Sequence, residues 1–568
     1  MHQPDYRDQS TGDFTRPWVY LHATKDYTDM AGLLERYPGV GAVVNLAPVL
    51  LDQLEDYADQ FATGRLRDPL LRLLARDDGS PLSADERRLA FEQCFHANRD
   101  HMIAAFPAFR QLHELFLSLV AQGPSALDYL SDQYVYDLLT WYHLTWLGET
   151  VRRESDTFPR LVAVAGGFTQ AHRLELFRLI GAQITDVVPR YRRLADGGRV
   201  ELSTTPHFHP LAPLLLDFQS AREALPDAPL PLAPNYPGGA ERVAWHIRGA
   251  VESHARRFGT RPAGLWPAEG ALSEALLRQV AERGFRWTAS SEGVLSNTLR
   301  VRGGRPFVRA RDLHRPYRVN GVPPGLVFFF RDEQLSDLIG FQYAKWRGED
   351  AATHLLGELS GIAAAAPDGE RPVVSIILDG ENAWESYPFN GFYFLSALYD
   401  RLESHPAIRT HTYDGYLKLR AAPSAASVGG GAVAPTYAAI GELPGLVAGS
   451  WVYGDFSTWI GSPDKNRAWD LLVSAKQCFD AEVAGGRLAP DEIAAATRQL
   501  ADCEGSDWFW WFGDYNPADA VASFDRLYRM KLSNLYRLLR WPIPAELDIP
   551  ISTGDGHPEA GGTMRRSL

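Results

Sequence analysis

Short β-favouring runs that break straight into polar loops, with amphipathic helices between them, constrain this 568-residue chain more than any other feature. The runs are RLVAVAGG (160–167), RVELSTTP (199–206), AGLWPAEG (263–270), RWTASSE (286–292), GLVFFFRD (325–332) and PVVSIILDG (372–380), and helical stretches such as ALSEALLRQVAERG (271–284) separate several of them. Strands alternating with helices require a parallel α/β arrangement, here barrel-like. In such folds chemistry sits where strands end and loops begin. Glu201, His209, Glu269, Arg331, Asp332 and Asp379 all stand at or just past the end of a predicted strand.

The rest of the chain divides by pattern. A helix is expected around Lys25 to Tyr37, and GVGAVVNLAPVLLDQL (39–54) reads as a strand ending at Asn45, then a helix. Residues 84–147 carry apolar positions at three- and four-residue spacing and are expected to form a helical insertion, leaving 1–83 and 148–387 as the barrel. Beyond Pro388 the pattern turns helical, which predicts a C-terminal helical domain over 388–550. Within it, 420–449 is rich in Ala, Gly, Pro and Ser and is expected to be a flexible linker or a lid, and 551–568 a disordered tail.

A net charge of −13 without a basic stripe excludes the electrostatic footprint of a nucleic-acid binder. A sugar polymer is uncharged and is gripped by aromatic faces, so 15 Trp, 23 Tyr and 27 Phe fit it, as they also fit a large core. Cys94, Cys478 and Cys503 show no metal-ligand spacing, and a reduced, cytoplasmic setting is the expectation. The N-terminus has no signal-peptide pattern and no long apolar stretch predicts a membrane span.

Two stretches carry candidate chemistry. In 372–385 a β-favouring run enters Asp379-Gly380-Glu381-Asn382-Ala383-Trp384-Glu385, a density of acid, amide and indole that packing alone explains poorly. In 264–277 a short apolar entry leads through Trp266 and Pro267 to Glu269, which also fits an ordinary acid at a helix start. Together they supply what glycosidic cleavage needs: one carboxyl protonates the leaving oxygen while the other attacks or stabilises the anomeric carbon. Carboxyls about 5–5.5 Å apart retain configuration and about 6.5–9.5 Å invert it, a choice the spacing leaves open.

His207 and His209 form a His-x-His pair at a strand end, suited to sugar hydroxyls, to structure, or, with His2, to a three-histidine zinc site. Late in the chain, 450–469 and 504–516 hold six tryptophans at 451, 459, 469, 508, 510 and 511. They read either as sugar-stacking surface, with Trp459, Asp507, Trp508 and Trp510 as lining candidates, or as anchors of the helical domain.

The HQPDYRD element (2–8), PWVYLHATKDY (17–27), VNLAPVLLDQL (44–54), ELSTTPHFHPLAPLL (201–215), GLWPAEG, FFFRDEQLSDLIGF (328–341), LDGENAWE and GSDWFWW together resemble glycoside hydrolase family 57, the amylase and amylopullulanase group, over nearly the whole chain. The resemblance implies an incomplete (β/α)7 TIM-like barrel, a retaining mechanism on α-1,4 glucans such as starch, glycogen or maltooligosaccharides, with α-1,6 linkages as a further target, and no cofactor or metal. It implies Glu269 as nucleophile and Asp379 as general acid/base, with His2, Glu201, His209, Trp266 and Trp384 around the scissile bond. Asp379 is then expected to hold its proton above the usual carboxylate range while Glu269 stays ionised.

Two departures stand out. The family has a strand ahead of the HQP element, where this sequence starts at Met1, and an upstream start is the expectation because losing a central strand would unpair its neighbours. RWTASSEG carries Ser291-Glu292 where the family often has an acidic pair, which bears on substrate preference. A 4-α-glucanotransferase or branching enzyme using the same carboxylates, a zinc-dependent carbohydrate hydrolase and a non-catalytic glycan-binding protein remain alternatives.

Overall fold

A computed structural model describes residues 1–77, 79–367, 370–421, 436–557 and 562–565. Among the described residues, nine short strands are set among many helices: β1 (Ala42–Asn45), β2 (Val200–Ser203), β3 (Gly264–Leu265), β4 (Trp287–Ser291), β5 (Tyr317–Val319), β6 (Val327–Arg331), β7 (Glu370–Arg371), β8 (Thr436–Tyr437) and β9 (Gly441–Leu443). β1 runs parallel to β2, with Ala42 opposite Val200 and Asn45 opposite Ser203. A bridge from Thr204 to Leu265 leads to β3, and β3, β4 and β6 continue in parallel. The expected parallel progression through these loops is therefore present, as an arc of pairings divided between sheets.

The arc explains where the sequence puts its bulk. β4 and β6 are buried along their whole length, consistent with strands covered on both faces; β6 reads as the apolar run Val327–Phe330, whereas β4, WTASS, buries three hydroxyl side chains. Residues Trp18 to Arg36 form one long helical stretch, and helices Pro48–Thr63 and Gln170–Asp196 pack beside β1 and β2. Between Ala84 and Thr145 the chain is helical as expected, with Ala84–Gln93, Pro107–Val120 and Asp132–Thr145 as its main helices.

Several expectations fail. RLVAVAGG is not a strand: residues Thr157–Val164 are an amphipathic helix whose one fully buried side chain is Leu161. β5, absent from the sequence reading, lies antiparallel to β6, and β9 joins it in parallel, so the sheet is mixed. The run 372–378 makes one bridge, Ser375 with Arg331, together with the Asp332 N–H to Ser375 carbonyl bond of 2.8 Å. Its other edge faces a cavity of about 1540 Å3, and Ala42, Val43 and Val44 of β1 line the far side of the same cavity. At its mouth the Met1 N–H3 group donates to the Asn45 carbonyl at 2.8 Å and the Ala47 N–H donates to the Met1 carbonyl at 3.1 Å, the bonding pattern of one parallel rung.

Past Pro388 the chain is mostly helical, with helices Phe392–Ser404, Pro463–Gly485, Pro490–Cys503 and Ala518–Leu538. Of the segment expected to be flexible, 422–435 lies outside the described residues. The following stretch supplies β9 and a bridge from Gly449 to Leu272. In the tail, Ile551 and Ser552 are buried, and the Gly562 carbonyl accepts the Trp510 indole N–H at 2.8 Å. Among the described residues, no helix is long and apolar enough to cross a membrane.

Candidate active site

Glu269 stands on a backbone conformation that side chains rarely adopt. Its φ is +58°, and Gly270 after it has φ +59°, so the chain turns twice through the left-handed region directly after β3. A Cβ on Gly270 would lie 2.9 Å from Trp451 Cβ, so the turn is pressed against 450–452 and glycine alone fits. The turn is tied down by the Trp451 N–H to Glu269 carbonyl bond of 3.0 Å. His209 is also left-handed, with φ +55°. Two strained residues from separate loops meeting in one place mark a site that the surrounding structure holds against local preference.

Both carboxylate oxygens of Glu269 have donors. Ser506 Oγ–H donates to Oε1 at 2.8 Å, and Trp451 Nε1–H donates to Oε2 at 3.2 Å. His209 Nδ1 lies 3.9 Å from Oε1 and 2.9 Å from Ser506 Oγ. The side chain of Glu269 keeps 12% exposure, enough for a ligand to reach it from the cleft. Asp379 lines the same cavity, at the end of the 372–378 run, and accepts an N–H from Asn382 at 2.9 Å. Its neighbour Glu381 is buried, with Oε1 accepting the His2 backbone N–H at 2.8 Å and the Tyr27 hydroxyl at 3.2 Å.

Burial drives both acids above their ordinary range. Glu269 is pushed up to about 7, first by burial and then by the charge of Asp507, with the Ser506 hydrogen bond opposing. Asp379 is pushed up to about 6, first by burial and then by Glu381, with Asn382 opposing. Both carboxyls are thus raised, Glu269 no less than Asp379, whereas an ionised Glu269 was the expectation, because burial outweighs its two donors. The charge of Asp379 is also among the causes that raise Glu269, and both side chains line the one cavity.

His2 and His209 complete the floor. Their rings stack with centroids 3.7 Å apart. His2 Nε2 meets both oxygens of Asp507, at 2.8 and 3.0 Å. Burial alone would lower the His2 pKa, but Asp507 raises it above the ordinary value, while His209 falls well below, through burial and then the charge of His2. The pair therefore holds one proton on the His2 side.

Of the other sequence candidates, Trp266, Trp384, Asp507 and Trp510 line the cavity. Four do not. Glu201 is turned to Trp287 Nε1 at 2.6 Å and the Asp414 N–H at 2.8 Å, tying β2 to β4 and to the helix Tyr413–Ala421. Asp332 is fully buried, caps the Leu335 N–H at 2.9 Å and pairs with His314 and Arg309. Trp459 and Trp508 are buried in the core, Trp508 donating to the Asp502 carbonyl at 2.9 Å.

The three-histidine zinc set is not assembled. His207 pairs with Asp52 at 3.0 Å, away from His209, because the left-handed backbone at His209 breaks the strand alternation the pair relied on. Among the described residues, His2, His209 and Asp507 offer ligand atoms within 4.8 Å of one another. Stacked rings, however, hold their lone pairs in near-parallel planes, and His2 Nε2 and His209 Nδ1 already have partners, a poor donor set for a tetrahedral ion. Sequence reasoning did not single out Ser506, visible only as a serine before a helix; Trp451 stood among the six late tryptophans, and Glu381 and Asn382 among the polar residues that follow Asp379.

Glu269 and Asp379 line one large cavity among tryptophans, an arrangement suited to glycoside cleavage and glycosyl transfer. The chain belongs to glycosyl hydrolase family 57, whose family model matches residues 1–428. The fold is that of solved members. A branching enzyme from Thermococcus kodakaraensis matches with a TM-score of 0.56 at 16% identity, over 96% of this chain and 91% of that one. A branching enzyme from Pyrococcus horikoshii matches at 0.53 and 16%, over 100% and 98%. The α-amylase AmyC from Thermotoga maritima matches at 0.54 and 13%, over 95% and 94%. No curated protein matches the chain by sequence.

Proposed function

We propose that this chain is a retaining enzyme acting on α-1,4-linked glucans, hydrolytic in its main reading, with Glu269 as nucleophile and Asp379 as general acid/base. The observation that carries the reading is the treatment of the two acids. Glu269 is fixed by a strained turn and by a donor on each oxygen, as an attacking carboxylate requires, whereas Asp379 has a single amide donor, and burial and the Glu381 carboxylate nearby favour its protonated form. As the glycosidic C1–O bond breaks, Asp379 delivers its proton to the leaving oxygen and ionised Glu269, favoured by the positive charge developing at C1 in the transition state, forms an ester to C1. The acceptor hydroxyl then gives its proton to Asp379 and bonds C1 as the ester bond to Glu269 breaks. The arc of strands from β1 to the 372–378 run belongs to this reading as an incomplete barrel.

A second reading is transfer to a sugar hydroxyl instead of water. The cavity of about 1540 Å3 exceeds the roughly 300–1,000 Å3 of an ordinary ligand pocket and leaves room for an acceptor chain. The solved neighbours, two branching enzymes and an α-amylase, span both outcomes. Incubation with maltoheptaose separates them: only shorter products mean hydrolysis, longer or branched products mean transfer, and no change in chain length removes the catalytic reading.

A further inference from the structure

We propose that Ser506 is the positioning residue of the nucleophile: its hydroxyl, held by His209, aims Glu269 and favours its ionised form. The inference rests on the reading of Glu269 given above. Ser506 is fully buried and precedes the short helix Asp507–Trp511, the place where a serine side chain ordinarily accepts an N–H of its own helix. It makes no such bond. Its hydroxyl points instead across 237 residues of sequence to Glu269 Oε1 at 2.8 Å. A fully buried hydroxyl taken from its local use and given to one carboxylate oxygen is poorly accounted for by helix formation.

The geometry fixes the direction of the bonds. An ionised Glu269 only accepts, so the Ser506 proton goes to it, and Ser506 Oγ accepts from His209 Nδ1–H at 2.9 Å. His209 is kept neutral beside His2, so it can hold that tautomer without adding a charge that would pair with Glu269 and block attack. Backbone bonds keep the relay in register: the Ser506 N–H donates to the His209 carbonyl at 2.9 Å, and Gly505 bridges Pro210. Serine and histidine therefore move as one unit against Glu269. Trp451 donates to the other oxygen at 3.2 Å, so both ends of the carboxylate are held.

The test is the pH dependence of kcat/KM on maltooligosaccharide for wild type, Ser506→Ala, Ser506→Cys and Ser506→Thr, with thermal unfolding recorded for each. Removing the donor destabilises the ionised form of Glu269, so the acidic limb of the Ser506→Ala profile moves up by about one pH unit, the scale of one charge-assisted hydrogen bond, and kcat falls about tenfold. Ser506→Thr restores the limb, and Ser506→Cys, a weak donor of similar size, falls between. An acidic limb that stays at the wild-type pH in Ser506→Ala or Ser506→Cys overturns the proposal, whatever happens to kcat. Glu269→Ala is measured alongside. If that variant turns over normally, the reading of Glu269 fails; if it is inactive while the serine variants keep the wild-type limb, only the role of Ser506 fails.

Discussion

His2 and His209 lie face to face at 3.7 Å and sit on opposite sides of their ordinary pKa, His2 raised beside Asp507 and His209 lowered by burial and by His2. A raised histidine stabilises the fold fully below its unfolded value near 6.5 and loses that contribution as pH rises through its folded value. Replacing His2 by Gln therefore costs more stability at pH 5.5 than at pH 8.5. Denaturant midpoints at the two values check this, and an equal loss at both would show that the His2 charge is not favoured by the fold.

The raised pKa of Glu269 makes a stability prediction of opposite kind. A carboxyl whose folded value is about 7 binds its proton more tightly in the folded state, so stability is lost as pH climbs from about 4.5 to 7. Glu269→Gln removes that loss, at the expense of turnover. The variant should be more stable than wild type at pH 8 by about 1–2 kcal/mol and near equal at pH 4, a range set below the full shift because one donor then faces an amide N–H2. Urea unfolding at both pH values decides it.

Asp379 is assigned to proton transfer at the leaving group. An Asp379→Asn variant should lose much more activity on maltooligosaccharide than on an aryl glycoside whose leaving group needs no proton, with a ratio of losses of about 100. Parallel kinetics on the two substrates provide the check. Equal losses would assign Asp379 a different role.

The turn bearing Ser506 and Asp507 is anchored two residues earlier. Glu504 is fully buried, accepts from Arg242 Nε at 2.8 Å and Nη2 at 2.9 Å, meets His246 Nε2 at 2.7 Å and Tyr236 at 2.5 Å, and is held down at about 2, burial being outweighed by Arg242. Glu504→Gln leaves a buried guanidinium without its counter-charge and should destabilise by about 3–5 kcal/mol at neutral pH. Wild type loses this contribution as pH falls from about 4.5 towards 2, so the difference between the proteins shrinks there. A calorimetric series from pH 7 to pH 3 measures it.

The sequence was readable where one interaction dominates. The apolar run 327–330 is a strand because both faces are covered, and Glu269 and Asp379 stand out as acids at the ends of β-favouring runs. It misled where context decides. RLVAVAGG has β-favouring residues yet sits on the surface as a helix, and 372–378 reads as a strand but pairs along one side at a single bridge. The tryptophans divide: 451, 510 and 511 line the cleft while 459, 469 and 508 fill the core, and their indoles look alike in sequence. Ser506 was hidden because a serine before a helix already has a local explanation.

The residues gathered around Glu269 come from opposite ends of the polypeptide. His2 and Asp507 are 505 positions apart, and the 2–8 stretch is sewn to helix Ala518–Leu538 by Lys531 donating to the Arg7 carbonyl at 2.6 Å and Asn534 to Asp8 at 2.9 Å. The site is thus assembled only after segments separated by 505 positions have met, and a chain still lacking the 504–511 stretch has neither Ser506 beside Glu269 nor Asp507 beside His2.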